Sequence, residues 1–233
     1  GLGDVYKRQM QLKQDVDGHD LDPTDPDNWT VPTPIYRNDA SLLNGNKQLA
    51  ATASGGVGMS LDMTYFQDAD GRSYYAWQQL GATYIAKMDP KDPAHVTSSP
   101  VRIVTPEYAW NAAIAEGPNV TLRDGKLYLM FSGSGVGKTY TTGLAVADAA
   151  GSDLTDPASW TALNYPIQKS GPFNGEMQLG TGHGMWSEDE DGNQVYVFHA
   201  YATKNLGSVN ATGRDMFCLL YTSPSPRDPK TSR

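Results

Sequence analysis

The 233-residue chain is acidic, with 26 Asp and Glu against 18 Lys and Arg and a formal net charge of −8. That balance argues against nucleic acid or an anionic membrane surface as a partner. No apolar run approaches the roughly 20 residues of a membrane-spanning helix, while about 200 residues suffice for one sizeable core.

The two ends mirror each other. DVYKRQ (residues 4–9) and CLLYTS (residues 218–223) can be encoded by DNA strands that, apart from end bases, are reverse complements. The shared sequence resembles the transposon-end adapter of shotgun sequencing libraries, whereas two ordinary tails would share no such coding. Residues 1–9 and 218–233 are therefore expected to be adapter-derived, and residues 10–217 to be one partial domain of a longer gene product. On this reading Cys218, the only cysteine, carries no information about redox compartment. Localisation stays open between extracellular, cell-envelope and cytoplasmic, as does the oligomeric state. The basic residues of the two ends outnumber the acidic ones, so the remainder is more acidic than the whole.

From the N-terminus onward, helical periodicity is scarce. After an acidic loop, QDVDGHD (14–20), short alternating or apolar runs follow: SYYAWQQ (73–79), TYIAKM (83–88), KLYLMFSG (126–133), TTGLAVAD (141–148) and QVYVFHAY (194–201). Period-two runs bounded by Gly, Pro, Asp and Asn read as strands. The pairs Asp70-Gly71, Asp124-Gly125 and Asp191-Gly192 each precede one of these runs, 54 and 67 residues apart. Asp-Gly suits a hairpin turn, where the backbone needs positive φ. A second marker, TDPDNWT (24–30), is echoed by TDPASWT (155–161), with KDPAHVT (91–97) between them.

The stretch FSGSGVGKTY (131–140) ends like a phosphate-binding loop, but such a loop needs its first glycine where Ser132 stands, and a helix after it. Thr, Tyr and Val in the continuation favour a strand. The stretch reads as strand, glycine-rich turn, strand. An all-β chain with a repeat near 65 residues predicts a β-propeller of four-stranded blades with long loops, about three to four of them present. A stacked solenoid and a β-sandwich are the alternatives. Hairpin-linked strands weigh against the first, and the double set of repeat markers against the second.

Two acidic residues stand in apolar stretches, where a charge is costly. Asp62 lies in MSLDMTYF, just before an Asp-Gly turn, and Glu116 lies in AIAEGPNV, in the same place one repeat later. A carboxyl flanked by Ile114, Ala115 and Val120 and facing a second carboxylate suits a general acid. The plainer alternative is that both accept backbone hydrogen bonds at blade corners.

Three motifs in order, SLDMTYFQDADGRSYYAWQQLG, IAEGPNVTLRDGKLYLMFSGS and TGHGMWSEDEDGNQVYVFHA, resemble glycoside hydrolase family 43. The resemblance covers nearly all of residues 10–217. It implies a five-bladed propeller and an inverting glycosidase that cleaves arabinose or xylose residues from plant polysaccharides, most simply an α-L-arabinofuranosidase. β-Xylosidase and endo-arabinanase activities occur on the same scaffold. In that pattern Glu116 matches the general acid and Asp62 the aspartate that orients the acid and tunes its pKa. The family's general base precedes the residue matching Asp62, and no residue here matches it. Asp15, Asp17 and Asp20 sit in a loop without a family motif, so the chain alone is expected to be inactive.

His183, in GTGHGMW, matches a family histidine that faces the central channel, towards a bound calcium directly or through water. A hydrogen-bonded structural histidine is the alternative. Calcium prefers oxygen ligands, so His183 would be one contact in a watery shell. No organic cofactor is implied. Trp110, Trp186 and Arg214 are candidates for contact with a sugar, whereas Trp77 sits in an alternating strand and reads as core. A non-catalytic carbohydrate-binding propeller would use similar aromatic walls and acidic loops, and a protein-interaction propeller has only the fold in its favour.

Overall fold

The computed structural model describes residues 8–40, 43, 60–173, 175–202 and 214–220. Strands dominate, and the only helical turns among the described residues are three short 3-10 segments. Arg8–Gln9 (β1) pairs with Thr33–Pro34 (β2). Three larger antiparallel sheets follow. Ser60–Gln67 (β3), Ser73–Gln79 (β4), Ala82–Asp89 (β5) and Asp92–Val96 (β6) form the first, with Val101–Val104 (β7) also paired to β5. The second runs from Glu116–Arg123 (β8) through Lys126–Gly133 (β9) and Thr141–Asp148 (β10) to Thr161–Ala162 (β11). The third comprises Gly171–Phe173 (β12), Glu176–Glu188 (β13), Gln194–Ala202 (β14) and Arg214–Leu220 (β15).

These sheets are propeller blades, and the all-β expectation holds. The Asp-Gly pairs form the turns β3–β4, β8–β9 and β13–β14, with Gly71, Gly125 and Gly192 at φ between 74° and 79°. A side chain rarely adopts that conformation, which is why glycine follows each aspartate. The glycine-rich stretch at 134–139 is a turn between β9 and β10, with no helix after it.

Each blade buries its face against the next. Phe66, Tyr74 and Ile85 of the first blade meet Leu127, Leu129 and Phe131 of the second. Met130 and Leu144 of the second meet Trp186, Tyr196 and Phe198 of the third. On its other side the first blade packs Tyr75, Trp77 and Met88 against Ile35 and Leu43, and Trp77 is 0% exposed, as its alternation predicts. Each such buried side chain contributes about 1.5–3 kcal/mol.

The proline-tryptophan markers prove to be one local structure used twice. Asp25 and Asp156 cap 3-10 turns by accepting from the Asp27 and Ala158 amides. Trp29 and Trp160 then close back through indole N–H bonds to the Pro23 and Leu154 carbonyls. KDPAHVT does not repeat it. There Asp92–Val96 is strand β6, paired with β5, and the Asp92 carboxylate meets His95 at 2.9 Å instead of capping a 3-10 turn. At the C-terminal end, β15 continues through Cys218 to Leu220, beyond the boundary expected at Phe217, by backbone pairing with Val195–Val197. Backbone pairing at a sheet edge needs no particular side chain.

Candidate active site

The innermost strands β3, β8 and β13 lie side by side, and each carries the same bulge. Pairing is regular at Leu61–Gln78, Glu116–Ser132 and Gly182–His199, and resumes at Thr64–Ala76, Asn119–Met130 and Met185–Val197. Two residues thus oppose one in each of these three blades, which bends the strand and re-aims its side chains. The first bulged residue is left-handed each time: Asp62 at φ 57°, Gly117 at φ 58° and His183 at φ 47°. Three equivalent triplets, 62–64, 117–119 and 183–185, line one depression of about 350 Å³ where the inner strands converge.

This register corrects the expectation that Asp62 and Glu116 are equivalent. Asp62 is equivalent to Gly117 and His183, while Glu116 stands one residue earlier, with Leu61 and Gly182. Across the blade boundary, Asp62 Oδ2 accepts the Gly117 N–H at 3.1 Å, so its carboxylate is fixed beside the residue that follows Glu116. The next boundary is stitched the same way, with the His183 N–H donating to Ser132 Oγ at 2.7 Å. Bulges leave these amides without a strand partner, and a buried amide must find one.

Glu116 receives the Tyr140 hydroxyl on Oε1 at 2.6 Å. The Tyr140 oxygen also lies 3.2 Å from His183 Nδ1, and His183 Nε2 lies 3.8 Å from Asp62 Oδ1. Tyr140 is 1% exposed, and burial, reinforced by the neighbouring Glu116 charge, pushes its phenol well above the usual range. It therefore stays protonated and remains a donor. His199 stacks on both partners, with ring centroids 5.9 Å from Tyr140 and 6.2 Å from His183. The glycines of TGHG have a steric cause. A Cβ on Gly182 would lie 2.4 Å from Tyr140 Cδ1, and one on Gly184 2.3 Å from Tyr196 Cε2.

The structure thus brings Asp62, Glu116 and His183 together, and adds Tyr140, Ser132 and His199. Sequence reasoning missed those three because Tyr140 and Ser132 lie in a stretch weighed for its glycines, and His199 sits inside an alternating strand that gives no sign of which way its ring points. Trp186 is a correction. It is 9% exposed, part of the core between second and third blades, and its indole N–H donates to the Tyr128 carbonyl at 3.1 Å, so no ring face is left for a sugar. Trp110 does not line the depression either. Its indole packs on Phe131, bonds the Asn164 carbonyl at 3.1 Å, and lies over Gly133 and Gly143. Arg214 opens β15 opposite Tyr201, and its side chain lies outside the described residues. In the QDVDGHD loop, Asp15 accepts the Asp17 and His19 amides and stays exposed at a turn.

Residues 46–220 match the family described as glycosyl hydrolases family 43. The chain belongs to glycosyl hydrolases family 43. Among relatives of this family 43 chain, an extracellular exo-α-(1→5)-L-arabinofuranosidase of Streptomyces chartreusis is 33% identical over 159 residues, 63% of this chain and 46% of that protein. An α-L-arabinofuranosidase 43 of Humicola insolens is 32% identical over 152 residues, 60% of this chain and 30% of that one. The chain thus spans less than half the length of these relatives. Among solved structures, the α-L-arabinofuranosidase of Lactobacillus brevis superposes with a TM-score of 0.67 at 24% identity, over 90% of this chain and 65% of that one. An endo-1,4-β-xylanase of Bacteroides thetaiotaomicron gives 0.58 at 24% identity, over 70% and 55%. At that identity these two show the propeller fold, and the family 43 assignment rests on the sequence match.

Proposed function

We propose that the protein containing this chain is an inverting glycosidase that releases arabinose, or xylose, from plant oligo- and polysaccharides, specifically an exo-acting α-L-arabinofuranosidase. One observation carries the reading: Glu116 is held at a strand bulge by the Tyr140 phenol, with the Asp62 carboxylate bonded to the very next amide. In this role Glu116 delivers its proton to the departing glycosidic oxygen, and Asp62 orients and tunes it. Water attacks from the opposite face of the sugar, activated by a base. We assign no described residue to that role, so the chain alone is expected not to hydrolyse glycosides.

The arabinofuranosidase names of the relatives support the choice of sugar, and the two Streptomyces relatives named as extracellular support an extracellular location. No described helix is long and apolar enough to cross a membrane. The donor set at the channel mouth, one imidazole and one carboxylate, suits a cation only through its water shell. If calcium binds, His183 Nε2 would hold one of its waters, and the ion would supply positive charge near the sugar. The test is turnover of aryl α-L-arabinofuranosides and β-D-xylosides by the complete protein. Arabinofuranoside turnover well above xyloside turnover is expected, and no turnover of any pentoside overturns the reading.

A further inference from the structure

We propose that Tyr140 is a positioning residue for this reaction, fixing which oxygen of Glu116 carries the proton; the inference rests on Glu116 being the proton donor. A phenol has one proton to give. Tyr140 gives it to Glu116 Oε1 in the 2.6 Å bond, so the 3.2 Å contact with His183 Nδ1 runs the other way, with Nδ1–H donating to the phenolic oxygen. Proton count therefore orients the whole chain, from His183 through Tyr140 to Glu116. With Oε1 committed as an acceptor, the proton that leaves for the glycosidic oxygen resides on Oε2.

The ring has little freedom to abandon this task. It is 1% exposed, lies flat on His199 with 13° between the planes, and fills the space that a Cβ on Gly182 would need. Its own amide donates to the Gly137 carbonyl, so the glycine-rich turn after β9 is the element that delivers the hydroxyl. The groups facing that hydroxyl are Glu116 from β8, Ser132 from β9, His183 from β13 and His199 from β14, with Asp62 of β3 beyond the imidazole. A displaced acid loses alignment with the leaving oxygen, and misplacement by about 1 Å costs on the order of 100-fold in rate.

The experiment compares Tyr140→Phe with the unmodified complete protein on two arabinofuranosides. Phenyl arabinofuranoside needs a proton on its leaving group, and the dinitrophenyl compound does not. On the phenyl substrate kcat is expected to fall roughly 10- to 100-fold with KM within about twofold. On the dinitrophenyl substrate the loss stays within about threefold, and in a Glu116→Gln background Tyr140→Phe adds nothing, since it acts through Glu116. Equal losses on both substrates, no loss on either, or a further loss in the Glu116→Gln background overturns the proposal. A complete protein inert to both substrates removes Glu116 as acid and this inference with it, whereas an active protein indifferent to Tyr140→Phe leaves the Glu116 reading standing. Should the phenylalanine variant not fold, neutron diffraction on the unmodified complete protein decides: deuterium on Glu116 Oε2 is expected, and deuterium on Oε1 overturns it.

Discussion

Glu116→Gln in the complete protein lowers kcat on an unactivated arabinofuranoside by about 10²- to 10⁴-fold, the usual contribution of a general acid. The amide has the shape of the carboxyl and can still accept the Tyr140 hydroxyl through its oxygen, so the 2.6 Å contact and the fold around it persist. What it lacks is a proton acidic enough to give to a leaving alkoxide. KM should therefore change little, and so should the melting temperature. A substrate with a strongly acidic phenol as leaving group recovers most of the lost rate. Steady-state kinetics on the two substrate types, with a thermal melt as control, checks this. A Glu116→Gln enzyme equally impaired on both would point to a binding rather than a proton-donating role.

Trp186→Ala has the largest expected effect on stability. The indole is 9% exposed, packs with Tyr196 and Phe198 between two blades, and is tied to the Tyr128 carbonyl. Removing a buried tryptophan costs about 3–5 kcal/mol, and the abandoned carbonyl adds to that. For a domain of this size the melting temperature should drop by roughly 10 °C or more. Protein that remains folded should keep its KM. A raised KM with an unchanged melt would restore Trp186 as a sugar contact and contradict its place in the core.

Much of the fold was legible because it is written in local chemistry. Asp-Gly turns demand positive φ at fixed points, and the alternation of SYYAWQQ buries Trp77 whatever the neighbouring blade contributes. The repeated proline-tryptophan markers announced a shared turn, since both close on a backbone carbonyl six residues earlier. KDPAHVT misled because the same Asp-Pro pair can also open a strand where a neighbouring strand, here β5, offers backbone partners.

The candidate site was legible only in part. Asp62, Glu116 and His183 announce themselves by type and setting, but their alignment depends on three bulges that no single strand reveals. Register is a property of pairs, and only the pairing shows that Glu116 is the last regular residue before its bulge while Asp62 is the first residue within its own. Tyr140 is 24 residues from Glu116 in sequence and meets it only because a glycine-rich turn brings the chain back across the blade. Its signal was present in the requirement for glycine at 182, but the cause of that requirement is a side chain 42 residues away in sequence. Tryptophans near the motifs looked like sugar platforms because the sequence does not distinguish a ring facing a channel from one facing the next blade.

In the proposed reaction Glu116 protonates the leaving group while water attacks from the opposite face of the sugar. The most direct test is proton NMR of the first sugar released when the complete protein acts on an α-L-arabinofuranoside, read before the product mutarotates. Single inversion predicts β-L-arabinofuranose as the first anomer, with the α signal growing only afterwards. Release of the α anomer first would contradict the account, because it would require a carboxylate nucleophile and a covalent glycosyl intermediate.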